Sequence, residues 1–113
     1  MFKLINIKTS SKIGKKFFAT FENKETKQQM IIHFGASSYR DYTLINDKKS
    51  KYYIADRDER DKVKSLYQKR HAKDLETKQA KTGMSPGALS YYILWTEPTL
   101  KRGIQNYRNK FNL

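Results

Sequence analysis

The sequence predicts an α+β fold: an N-terminal three-stranded antiparallel meander, followed by about three helices packed on it, in a single domain over residues 1–113. Three observations predict it. Large apolar residues alternate with others in the first 34 residues, and short polar connections separate the alternating runs. Acidic residues lead and basic residues trail in the stretch 57–75, as a helix dipole favours. Near the end, Leu100, Ile104, Tyr107 and Phe111 recur at intervals of 4, 3 and 4, which places them on one helical stripe.

The first strand is expected over residues 2–8, rich in Ile and Leu with imperfect alternation, and the polar run Thr9 to Gly14 turns the chain. The second, over 15–21, places Phe17, Ala19 and Phe21 on one face and Phe18 and Thr20 on the other. After the turn Glu22 to Thr26, the third strand over 27–34 aligns Met30, Ile32 and Phe34, and Gly35 ends it. Connections this short favour antiparallel neighbours. Within residues 36–56, Ser37 to Thr43 reads as an ordered loop holding aromatic anchors, Asp47 to Ser50 as a turn, and Tyr52-Tyr53-Ile54 as either a short strand or an anchor.

Asp56 or Asp58 caps the first helix, expected over 57–75. Its apolar stripe of Val63, Leu66, Tyr67 and Leu75 is thin, which makes the helix peripheral. Residues 76–84 show no periodicity and read as a polar linker. Ser85 followed by Pro86 is a strong helix start, and the helix expected over 86–95 is apolar nearly all round, hence buried. Thr96-Glu97-Pro98 opens the last helix, expected over 97–111. Trp95 and Pro98 are expected to fix the corner between these two helices, and Gly35 to allow the backbone to turn after the third strand.

The chain carries 24 Lys and Arg against 11 Asp and Glu, a formal net charge of +13. The surplus is not a tail: residues 1–35 hold 7 bases and 2 acids, residues 36–97 hold 13 and 9, and residues 98–113 hold 4 and none. A folded body with such a field repels its own copies and attracts polyanions or acidic protein surfaces. Lys101, Arg102, Arg108 and Lys110 on the last helix have no local acid to pair them. Together with Lys15 and Lys16 they are the candidate partner- or polyanion-binding groups. Lys12, Lys15 and Lys16 precede the second strand, where they would either meet phosphates or protect a sheet edge.

Other classes are poorly served. The absence of Cys excludes disulfides and thiolate metal sites, and two histidines make a zinc site an unpromising reading. No apolar run approaches the ~20 residues of a membrane span, and the polar start is unlike a secretory signal. The expectation is a soluble intracellular protein with no metal and no cofactor. Gly35, Gly83 and Gly87 match no phosphate-binding loop, and no zinc-finger, zipper or helix-turn-helix spacing occurs. His33, Asp41 and Tyr42 are the only candidates for an acid–base cluster, and their spacing specifies no known reaction, so no enzyme activity is expected.

Three stretches are familiar together: His33-Phe-Gly-Ala with Asp41-Tyr-Thr; Tyr67-Gln-Lys-Arg-His71; and Ser85-Pro-Gly-Ala-Leu-Ser90 with Ile93-Leu-Trp95 and Pro98-Thr-Leu100. In order and approximate spacing they resemble a family of short, basic proteins of unknown function encoded by large nucleocytoplasmic DNA viruses, the mimivirus-like and phycodnavirus-like giants. The Lys15-to-Phe21 strand and the Tyr107-to-Phe111 helix end are also similar, and extra residues around Lys48 to Asp58 depart from the pattern. The resemblance implies a setting rather than a mechanism. A particle of that kind needs small basic proteins that join capsomers from inside or condense the genome. The function expected on this footing is a non-enzymatic minor capsid protein in the virion, made in the host cytoplasm or nucleus, bridging shell proteins that carry acidic surfaces. The alternative is a protein that binds DNA or RNA and helps to package it.

Overall fold

Alternation along the first 36 residues builds a three-stranded antiparallel sheet in the order β1-β2-β3. A computed structural model describes residues 1–113, and its strands are β1 (Phe2–Thr9), β2 (Lys15–Asn23) and β3 (Gln29–Ala36). β2 is central, so Lys15 and Lys16 stand at the start of an inner strand and protect no edge. The imperfect pattern of β1 has a physical cause. Phe2 and Leu4 pair with Asn23 and Phe21, but Asn6 and Ile7 pair with Thr20 and Ala19, which leaves Ile5 as an extra residue. This bulge resets the alternation, so Leu4 and Ile7 both reach the core face although they are an odd number of residues apart.

Strand β3 begins later than its apolar pattern suggests. Lys27 lies in a left-handed conformation (φ 65°) that closes the turn, and the Asn23 side chain accepts hydrogen bonds from the amides of Glu25 and Thr26. At the other end the strand runs through Gly35 to Ala36 instead of stopping at the glycine. Gly35 takes a φ of 80°, and its amide donates to Ser90 Oγ at 3.1 Å.

The helical layer covers the sheet face that carries Leu4, Ala19, Phe21, Ile32 and Phe34. Its elements are α1 (Tyr42–Ile45), α2 (Arg57–His71), α3 (Lys78–Lys81), α4 (Pro86–Leu89) and α5 (Leu100–Phe111), with a 3₁₀ turn at Ala72–Leu75 and a π turn at Ser90–Leu94. Tyr42 and Ile45 of α1, Met84, Leu89, Ile93, Leu94, Trp95 and Tyr107 complete the core. The edge strand β1 is closed in part by α5, whose Arg108 donates to the Leu4 carbonyl at 3.2 Å. No helix is long and apolar enough to cross a membrane.

Four expectations need correction. Ser37 to Thr43 is not all loop: Asp41 caps α1 by accepting from the Leu44 amide, and burial of Tyr42 and Ile45 stabilises a single turn too short to show periodicity. Residues 76–84 are not a free linker. Thr77 caps α3, Ala80 and Met84 are buried, and Gly83 is held by a hydrogen bond from Tyr107 to its carbonyl at 2.7 Å. The 86–95 helix is a single α turn that widens into the π turn. The last helix starts at Leu100, not Glu97, because a residue before proline is disfavoured in the helical region; Thr99 is the cap instead, accepting from the Arg102 amide. Helix α2 matches its reading: it has no fully buried residue, and its last turn tightens into the 3₁₀ segment that ends at Leu75.

Candidate functional site

Because the apolar stripe of α2 is thin, the helix stands along the body without sealing against it. An open cleft of about 720 Å³ remains between α2, the β2 start, the β3 end and the α4 region. Its chemistry comes from segments far apart in sequence. The β2 start supplies Lys15 and Lys16, and the end of β3 with the loop after it supplies Gly35, Ala36, Arg40 and Asp41. Helix α2 contributes Leu66, Tyr67, Arg70 and His71, and the region of α4 and the π turn contributes Pro86, Ser90, Leu94 and Trp95. The motifs His33-Phe-Gly-Ala, Asp41-Tyr-Thr, Tyr67-to-His71, Ser85-to-Ser90 and Ile93-Leu-Trp95 therefore all reach one place.

A ring stack fastens α2 to the body. Tyr67 lies parallel to Trp95 with centroids 4.0 Å apart, and His71 covers its other face at 4.3 Å. Gln68 on the same helix donates to the Trp95 carbonyl at 2.9 Å. Below, Asp41 is 2 % exposed and holds Lys16 Nζ, Thr43 Oγ1 and the Leu44 amide. His71 Nδ1 is bonded to Asp74 at 2.8 Å. Lys15, Arg40 and Arg70 pair with no side-chain carboxylate, and Arg40 and Arg70 are exposed. The cleft thus combines an aliphatic wall, a closed aromatic stack, the exposed ring of Tyr39 and a rim of free cations.

The Tyr67 phenol is pushed up to about 12, first by burial and then by the negative field of Asp74, against the opposing field of Arg70. Burial also raises Tyr107. A folded-state value above the unfolded one means that the native protein holds these protons more tightly. That contribution is complete below the ordinary tyrosine value of about 10 and is lost as pH rises from there towards 12. In an alkaline titration followed by tyrosinate absorbance, two of the eight tyrosines are expected to ionise last, together with loss of native circular dichroism. Substituting Phe for Tyr67 should remove one of the two.

The sequence-selected cations have separate fates. Lys15 stands on the cleft rim, and Lys16 is spent on Asp41, with only 12 % of its side chain exposed. Arg108 is turned inward to the carbonyls of Leu4 and Leu113. Arg102 is exposed and reaches Glu97 at 3.1 Å. Lys101 and Lys110 are exposed, Lys110 lying over the Tyr92 ring at 5.8 Å. Gly35 and Trp95 occupy tight positions in the fold: a Cβ on Gly35 would meet Leu94 at 3.0 Å, and Trp95 is buried in the ring stack. Pro98 precedes the α5 cap. Arg40, Arg70 and His71 carry no site role in the sequence reading, although the last two stand in the Tyr67-to-His71 motif, because only the placement of α2 brings them to the β3 end.

His33, Asp41 and Tyr42 share no hydrogen bond. His33 is bonded to Ser10 at 2.7 Å beside the Phe18 ring, whereas the Tyr42 hydroxyl donates to Asp61 at 2.8 Å. The acid–base cluster considered from the sequence is not assembled. The structure also groups no three His, Asp or Glu side chains in a position to hold a metal ion.

These features define a small α+β domain with one open, cation-rimmed cleft. Residues 5–58 match the model of a family described as a family of unknown function (DUF5754). The matched part contains β2, β3, most of β1, α1 and one wall of the cleft. No curated protein and no solved structure matches the chain.

Proposed function

We propose that the protein is a non-enzymatic structural component that adheres to acidic partners, serving as a minor capsid protein that bridges other shell proteins of a large DNA virus particle. One observation carries the adhesive part of this reading. Of the 24 Lys and Arg, only Lys3, Lys16 and Arg102 have a side-chain carboxylate partner, and the other 21 have none. The chain's own acids do not neutralise its field, and several of them are used for caps or for Tyr42. Charge of this kind steers assembly onto acidic surfaces, while fitted apolar contacts supply affinity. The viral setting rests on the motif resemblance alone. The test is quantitative mass spectrometry of purified particles: stoichiometric presence in the shell fraction is expected, and absence overturns the assignment.

Nucleic acid is the second reading, favoured by Lys101 and Lys110, which lie exposed on one helix with no carboxylate partner. If phosphates are the partner, six to ten contacts weaken binding by roughly 10³–10⁵-fold between 50 and 200 mM salt. Filter binding of a duplex across that range measures the slope. A steep loss supports this second reading, and negligible binding at the low-salt end removes it.

A further inference from the structure

We infer that the cleft beside α2 is a docking groove for an acidic peptide segment that carries a bulky apolar side chain, presented by the protein's partner. The inference rests on the proposed adhesion to acidic proteins and names the place and the chemistry of the contact. Three observations converge on that occupant.

The first is the wall. Leu66 is 55 % exposed on the cleft side of α2, and the cleft it lines also includes Val63, Leu94 and Pro86. A large aliphatic residue left open beside a cavity of about 720 Å³ offers room and apolar surface for an inserted side chain. The second is the rim. Lys15, Arg40 and Arg70 surround this wall without carboxylate partners; of the two acids in the cleft Asp41 is paired with Lys16, whereas Asp74, hydrogen-bonded to His71, keeps its charge, so the four cations of the lining still outnumber its two acids. Carboxylates flanking the inserted residue would find these cations unpaired, and guanidinium groups are suited to grip carboxylates in a bidentate manner. The third is the closed ring stack. Both faces of Tyr67 are covered, by Trp95 and by His71, and Trp95 is buried. The Tyr67–Trp95 pair therefore offers no open ring face, and the exposed apolar surface of the cleft is the Leu66 side chain together with the rim ring of Tyr39, 71 % exposed; the aliphatic part of that surface is matched by a side chain and not by a base. A second copy of this chain is a poor occupant, because each copy carries a net charge of +13.

Fluorescence anisotropy with a labelled peptide of Asp and Glu, carrying Leu-Phe at its centre, tests the groove at moderate salt. The same peptide with Ser-Ser at its centre should bind at least about 10-fold more weakly, because the apolar anchor is lost. Leu66→Gln changes no charge and lies on an exposed position of α2, and it should weaken the Leu-Phe peptide by about 5-fold or more. Arg70→Glu should weaken it by about 10-fold. Lys24→Glu, on the exposed turn after β2, makes the same charge change away from the cleft and should alter binding by less than about 3-fold. Circular dichroism confirms that each variant is folded. Equal binding of the two peptides, or no response to Leu66→Gln, overturns the groove while leaving the wider adhesive reading in place. Failure of both acidic peptides to bind even at low salt overturns both. Displacement of the peptide by an oligothymidylate, whose own binding is also weakened by Leu66→Gln, overturns the peptide assignment and gives the cleft to nucleic acid.

Discussion

Replacing Gly103 by Ala is expected to lower stability by about 3 kcal/mol, the upper part of the range for overpacked cores. In an exposed helix the same change would stabilise by about 1 kcal/mol, since Ala loses less backbone freedom. Here the sign reverses because α5 crosses the π turn with no space between the backbones. A Cβ on Gly103 would stand 1.9 Å from the Ile93 carbonyl oxygen and 2.9 Å from its carbon. Relief requires the two segments to part by about 1 Å, and a close-packed interior passes such a shift on to its neighbours. Those neighbours are Leu89, Leu94 and Tyr107, all of them core residues. For a chain of this size the loss corresponds to a fall in Tm of roughly 12 °C. Thermal unfolding by circular dichroism measures it. An unchanged or raised Tm would mean that α5 does not sit this closely on Ile93.

Gly103 also shows where sequence reasoning stops. Within the stripe Leu100, Ile104, Tyr107 and Phe111 it reads only as a weak helix former, although it sets how closely α5 approaches Ile93. The elements that were legible carry their signal in local periodicity. Phe17, Ala19 and Phe21 alternate as a half-buried strand must, and the α5 stripe repeats as a helix packed on one side must. The bulge at Ile5 was visible as a broken alternation, but its position follows from pairing with β2. Elements held by tertiary contacts left weaker traces. Helix α1 is one turn, marked only by Asp41 ahead of Tyr-Thr-Leu-Ile, a capping pattern that a reading for loops passes over. Ala80 and Met84 lie in a polar stretch and are buried because Tyr107 reaches Gly83 beside them. The cleft was least legible of all. Its residues were partly named as separate motifs, but their meeting depends on how α2 rests on Trp95, a contact between positions 28 residues apart. Charge counting erred in a related way: it treated Lys16 and Arg108 like Lys101, whereas the first two are turned into the fold.

Asp41→Ala should be the second severe change, costing about 3–5 kcal/mol, the range for breaking one side of a buried pair. Asp41 is 2 % exposed, and its carboxylate joins three donors from two parts of the chain: Lys16 on β2, and Thr43 and Leu44 on α1. Removing it leaves an ammonium group with 12 % side-chain exposure and no counter-charge, and it uncaps α1 at the same time. Two further variants separate these losses. Asp41→Asn keeps a good capping oxygen, but it removes the charge and sets an amide NH2 against Lys16 in place of the second carboxylate oxygen, so it should cost about 3 kcal/mol. Combining it with Lys16→Met removes both charges and keeps an apolar stem of similar length, which should restore stability to within about 1 kcal/mol of the parent. Urea unfolding of the four proteins measures the series. If the double variant remains as unstable as Asp41→Ala although the cap is kept, neither the unpaired charge nor the lost cap is the source of the cost, and this account of Asp41 fails. If it recovers, the pair is exchangeable for stability, and its value lies in register: it fixes α1 against the start of β2, and so sets the wall on which the cleft is built.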